Sequence, residues 1–150
     1  MFIDEYELDS ITDNPYLNEI YKEAVFIDVE TTGLSRTYSD IISITFLLYE
    51  DDKYKIYQIF CQYKIDQPDA LKHLKEMIKS KKYIVTYNGN SFDLPMLEEK
   101  AKKYSVALSF GLFIKIDLYN YVQKLRYKIN THDLKLKTLE EYFCIVRNES

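Results

Sequence analysis

Asp28 and Glu30 close an apolar run, Phe26-Ile27-Asp28-Val29-Glu30, and lead into Thr31-Thr32-Gly33-Leu34. Residues two apart on a strand project from one face, so the two carboxylates stand side by side with no cation between them in the sequence. Each raises the other's pKa unless a positive charge lies near. Oxygen donors in a short, rigid array suit a hard divalent cation such as magnesium or manganese. The bland alternative is a solvated strand end that happens to carry two acids.

A third acid belongs to a second pattern about sixty residues on, Ile84-Val85-Thr86-Tyr87-Asn88-Gly89-Asn90-Ser91-Phe92-Asp93-Leu94. It reads as strand, loop and helix. Asn88, Gly89 and Asn90 tolerate positive φ, and Ser91 is the expected N-cap of a helix running to about Tyr104. Asp93 then falls in the first helical turn, where partnering the helix dipole would alone account for an acid.

The elements that must position these groups follow from periodicity and turn signals. Asp13 or Asn14 ahead of Pro15 opens a short helix through Glu23. Ala24 to Val29, Ile41 to Tyr49 and Tyr54 to Cys61 read as strands, the last two joined as a hairpin across Glu50-Asp51-Asp52-Lys53. Pro68 opens a helix to about Ser80, Tyr83 to Tyr87 is a fourth strand, and Phe113 to Ile116 a fifth before two more helices. The expectation is an α/β domain, an antiparallel meander followed by parallel strands in a mixed five-stranded sheet flanked by helices. Residues 1–150 form one domain, with residues 1–23 an N-terminal extension that carries the short helix.

Asp-x-Glu-Thr-Thr-Gly-Leu, followed by Asn-Gly-x-x-Phe-Asp, resembles the first two motifs of the DEDD 3′-to-5′ exonuclease superfamily. It looks closest to the proofreading domains of family-B DNA polymerases and to related stand-alone bacterial domains, over roughly Ala24 to Phe143. The resemblance implies a ribonuclease-H-like fold and hydrolysis of phosphodiester bonds at 3′ ends by a two-metal mechanism, with magnesium or manganese. It implies that Asp28 bridges two metal ions, that Glu30 binds one, and that Asp93 supports the second, partly through water. Two such cations stabilise both ends of an in-line displacement. Thr31, Thr32, Gly33 and Leu34 would contact the terminal nucleotide, and Asn88 and Phe92 would help hold the strand. Leu34 and Phe92 fit ordinary core positions equally well.

One part of the pattern is missing. The superfamily carries a third motif, Tyr-x-x-x-Asp or His-x-x-x-x-Asp, that does not occur here. Leu136 to Phe143 resembles the helix that precedes it, so the motif is expected beyond Ser150, in the remainder of a longer chain. Asp117 reads as structural. Asp133 reads as a capping residue, and His132 lacks the aspartate five residues on, where Lys137 stands. His73 lies on an amphipathic helix without a ligand partner. A catalytically weak nucleic-acid-binding module is therefore the alternative to an active exonuclease on a single-stranded or frayed end of DNA or RNA.

Composition sets the remaining bounds. Three prolines, three glycines and abundant apolar residues in 150 exclude a disordered chain. No apolar run reaches the ~20 residues of a membrane span, and Cys61 and Cys144, without metal-ligand spacing or a signal peptide, read as reduced thiols of a cytoplasmic protein. The net charge of −4 hides an asymmetry: residues 1 to 52 hold thirteen acids and two bases, residues 53 to 150 eleven acids and eighteen bases. Between Lys100 and Lys137 the bases interleave with Tyr104, Tyr119, Tyr121 and Tyr127, which suits a polyanion with stackable bases. Lysines on helical faces also serve merely to solvate them.

Overall fold

The computed structural model describes residues 1–147, so the last three residues of the expected domain lie outside the described residues. Six strands form one sheet in the order β1-β4-β3-β2-β5-β6: β1 (Phe2–Leu8), β2 (Ala24–Thr31), β3 (Ile41–Glu50), β4 (Lys53–Phe60), β5 (Tyr83–Thr86) and β6 (Ile114–Asp117). The first four pair antiparallel, and β2–β5 and β5–β6 pair parallel. Five helices accompany them: α1 (Pro15–Lys22), α2 (Asp66–Ile78), α3 (Asp93–Lys103), α4 (Leu118–Lys124) and α5 (Leu136–Tyr142), with a short 3-10 turn at Arg126–Lys128. This is the expected mixed sheet, enlarged by one strand.

Alternation along β2 divides the molecule into two faces. Val25, Ile27 and Val29 are buried, and they join Phe46, Ile59, Leu71, Leu74, Leu94 and Leu97 in the core beneath α2 and α3. Phe26, Asp28 and Glu30 point to the other face. There α1 packs at one end, with the Tyr21 and Phe26 rings edge to face at 5.2 Å. Asn14 caps α1, its side-chain oxygen accepting from the Tyr16 and Leu17 N–H groups. The hairpin between β3 and β4 is a two-residue turn in which Asp51 and Asp52 both adopt positive φ, as its twist requires.

The N-terminal extension differs from expectation. Phe2–Leu8 is a strand, paired along its length with β4 from Phe2↔Phe60 to Leu8↔Tyr54. It is an exposed edge, and two of its three acids are met across the ladder: Glu7 by Lys53 at 3.0 Å and Glu5 by Lys55 at 3.6 Å. Charges of this kind discourage pairing with further strands. Helix α3 also starts later than expected. Ser91 is not its cap; Phe92 holds that position without a side-chain cap bond. The preceding loop does the work instead, as Gly89 O and Asn88 O accept from Leu94 and Phe92 N–H.

Candidate functional site

Asp28 and Glu30 lie opposite Thr45 and Ser43 of β3, two residues apart on the open face. Beyond Glu30 the register slips, because Thr31 pairs with Ile41 and leaves Ile42 unmatched. Such a bulge ends regular pairing and re-aims the chain. A loop follows whose mouth is closed by Thr32 N–H to Asp40 O and Asp40 N–H to Thr32 Oγ1, both 2.9 Å. The Thr31 hydroxyl donates to Gly33 O at 2.7 Å. Leu34, at the loop's tip, is 84% exposed and belongs to no core.

The base of that loop rests on side chains that no local pattern in the sequence marks. Gln67, fully buried on α2, accepts the Ile41 N–H and donates to Asp40 Oδ1, each at 3.0 Å. That amide holds the Asp40 carboxyl below the ordinary range, with Lys64 at 3.4 Å assisting. Lys100, also fully buried, donates to Thr37 O at 3.3 Å, and burial pulls its pKa down. Lys100 thus leaves the basic patch in which its sequence neighbours suggest it, as does Tyr104, whose hydroxyl meets Gln67 at 3.3 Å.

The second pattern is built around Asp117, the last residue of β6. Its carboxylate accepts the Asn88 N–H at 2.7 Å, the Asn90 N–H at 3.1 Å and, as the cap of α4, the Tyr119 N–H at 3.1 Å. Asn88 takes a φ of 62°. Gly89 is required by proximity, since a Cβ there would lie 2.4 Å from Thr86 Cβ. Replacing Asp117 by Asn turns one acceptor into a donor facing these amides. A cost of about 1–3 kcal/mol is expected, checked as a lower urea midpoint at unchanged slope.

Asp93 opens α3 and is only 6% exposed. Burial pushes its carboxyl up to about 7, and Asp28, Glu30 and Asp117 add to the rise. Asp28 is also raised, by desolvation first and by Glu30 second, although its side chain reaches solvent. The fold therefore draws Asp28, Glu30 and Asp93 into one electrostatic cluster. Arg147 opposes the rise at Asp28, and Glu140 holds its guanidinium at 2.5 and 2.8 Å. This pair, too, carries no local sequence signal.

Among the described residues, no three His, Cys, Asp or Glu side chains close to the spacing of a metal cage. The donor set nevertheless fits a hard cation. It is all oxygen, the charges acting on Asp93 are all negative, and magnesium commonly takes one or two carboxylates with waters and substrate phosphate completing its shell.

The other residues fall into place around this cluster. Asn88 is exposed, and Phe92, four residues on and next to Asp93, is half-buried. His132 is exposed and pairs with Asp133 at 3.0 Å. Asp133 lies ahead of α5 rather than capping it, and accepts the Lys135 N–H at 3.0 Å. His73 is on α2, which covers the opposite face of the sheet.

A search among curated proteins finds no match. Solved structures share the fold. The family B DNA polymerase from the archaeon Pyrobaculum calidifontis superposes with a TM-score of 0.67 at 20% identity, over 83% of this chain and 18% of its own. Exonuclease I gives 0.58 at 15% identity, over 83% of this chain and 36% of that one. NrnC of Brucella melitensis, solved bound to pGG, gives 0.55 at 19% identity, over 91% and 60%. The chain thus spans less than two thirds of the length of each. The expected resemblance to polymerase and exonuclease domains is met in the fold. A sequence model of the RNase_H superfamily matches residues 25–150, from the strand that carries the acid pair onward, and the chain belongs to that superfamily.

Proposed function

We propose that this chain is a metal-dependent 3′-to-5′ exonuclease acting on a single-stranded or frayed end of DNA or RNA. The observation that carries the reading is the convergence of Asp28 and Glu30 with Asp93, a buried acid held at about 7 by burial and its acidic neighbours. These three side chains would hold two divalent cations, magnesium or manganese. When bound, such cations supply counter-charge to the attacking and leaving oxygens of phosphodiester hydrolysis.

The chain's own residues do the positioning. Leu34, apolar and exposed at the loop tip, faces the terminal base. Thr31, Thr32 and Gly33 hold that loop in shape, and Asn88 and Phe92 flank the strand. Exonuclease I has been solved with a dT13 oligonucleotide, which supports a single strand as ligand. No helix among the described residues is long and apolar enough to cross a membrane. Two free thiols, Cys61 held up to about 11 by burial, fit a cytoplasmic setting.

The test is a single-stranded oligonucleotide labelled at its 5′ end and incubated with manganese or with chelator. A ladder shrinking from the 3′ end, lost in chelator, is the expected result. A second reading, a nucleic-acid-binding module of low activity, is favoured by the spacing of the acids, of which no three among the described residues close to a metal cage. Salt-sensitive binding without any ladder, retained in Asp93→Asn, would establish that reading instead.

A further inference from the structure

The basic and aromatic residues between Lys100 and Lys137 are not used by the acidic cluster, and the fold sorts them. Lys100 is buried, while Tyr121 and Tyr127 stay exposed with the Lys124 and Lys128 ammonium groups at 5.7 and 5.5 Å from their ring centroids. A different subset converges. Tyr119, Arg126, His132 and Lys135 join Tyr87 in lining a cavity of about 500 Å³ between the loop after β5, α4 and the segment ahead of α5, within the roughly 300–1,000 Å³ of small-ligand sites.

Its walls are held in place before any ligand arrives. Tyr87 and Tyr119 meet edge to face at 5.5 Å. The Tyr87 hydroxyl donates to Leu134 O, and the Tyr119 N–H is anchored by Asp117. The acid in the lining, Asp133, is engaged by His132 and by the Lys135 N–H. The Arg126 guanidinium and the Lys135 ammonium make no hydrogen bond or ion pair with a described residue. Fixed aromatic faces beside cations, Arg126 without an ion pair to a described residue and Lys135 held only by the field of Asp133, are the two halves of nucleotide recognition, stacking and phosphate contact.

The position relates the cavity to the proposed reaction. It shares Tyr87 and Leu136 with the adjoining hollow of about 340 Å³ that contains Asp28, and Asn88 lies on its rim. We infer that this cavity is a subsite for one internal nucleotide of the bound strand, its base against Tyr119 and its phosphate on Arg126 and Lys135. The inference deepens the exonuclease reading and rests on it for the strand's path. In that role the subsite would hold the strand while its 3′ end lies at the acids.

Binding of a fluorescent thymidylate tetramer, titrated in chelator at low salt, tests it. Arg126→Gln and Tyr119→Ala are each expected to weaken binding by about tenfold, while Lys115→Gln, outside the cavity on β6, stays within about twofold. An abasic tetramer should lose sensitivity to Tyr119→Ala and keep sensitivity to Arg126→Gln. Wild-type affinity in Arg126→Gln overturns the subsite, and so does an equal loss in Lys115→Gln. Because the titration needs no turnover, these losses in a chain that shortens no strand still support the subsite, while cleavage with unaltered Arg126→Gln binding counts against the subsite alone.

Discussion

Asp28→Ala is expected to abolish metal-stimulated shortening of a 5′-labelled strand, a loss of at least about a thousandfold in rate. Asp28 shares a strand face with Glu30 and, like Glu30, acts electrostatically on Asp93. Alanine removes the donor that, on the proposed reading and the resemblance behind it, would serve both cations. A folding defect is not the expected cause, because the Asp28 carboxyl is raised by desolvation and by Glu30. Its removal relieves more desolvation and repulsion than the attraction to Arg147 that it gives up. The melting temperature of the variant in chelator should therefore match or exceed that of the wild type. Cleavage by Asp28→Ala at the wild-type rate would sink the assignment.

Asp93→Asn should stabilise the metal-free chain, and the gain should grow with pH. The folded carboxyl titrates at about 7, against 3.8 for an ordinary aspartate. Below 3.8 both folded and unfolded chains carry the proton, and Asp93 costs nothing. Between 3.8 and about 7 the unfolded chain releases its proton while the folded chain keeps it, so stability falls as pH rises. Above about 7 the full penalty applies, on the order of 4 kcal/mol at 1.36 kcal/mol per unit. Repulsion from Asp28 and Glu30 accounts for part of it. Asparagine removes the charge at similar size, so thermal melts in chelator should show a gain of several degrees at pH 8 and almost none at pH 4. Manganese at pH 8 should then raise the melting temperature of the wild type by more than that of Asp93→Asn, which keeps only Asp28 and Glu30 as carboxylate donors. Equal gains at pH 4 and pH 8 would show that Asp93 is an ordinary exposed carboxylate.

Features set by neighbours in the chain were legible before folding was considered. The alternation of Val25, Ile27 and Val29 marks a strand with one buried face, and it necessarily sends Asp28 and Glu30 to the other. Asp51-Asp52 sits between two strands and forms the hairpin turn, with both residues at positive φ. Asp13 or Asn14 ahead of Pro15 marks the opening of α1, where the structure selects Asn14 as the cap, and Asn88-Gly89 turns the chain after β5. Each is a short-range steric or hydrogen-bonding preference. Where local preference misled, a distant partner had prevailed. The capping tendency of Ser91 went unused because Asp117, Gly89 O and Asn88 O set the entry to α3.

By itself, the sequence determined the class of fold, the acid pair on one strand face and the loop that brings a third acid to the start of a helix. Periods of two and 3.6 residues and the turn residues between them are properties of adjacent positions. Only the tertiary structure decided that Phe2–Leu8 is a strand, since its pairing with β4 joins residues some fifty positions apart. It alone buried Lys100 and Gln67 beneath the loop after the acid pair, brought Arg147 to bear on Asp28, and gathered Tyr119, Arg126 and Lys135 around one cavity. Charge and burial depend on distance in space, and that distance is settled only when the sheet and its helices close on one another.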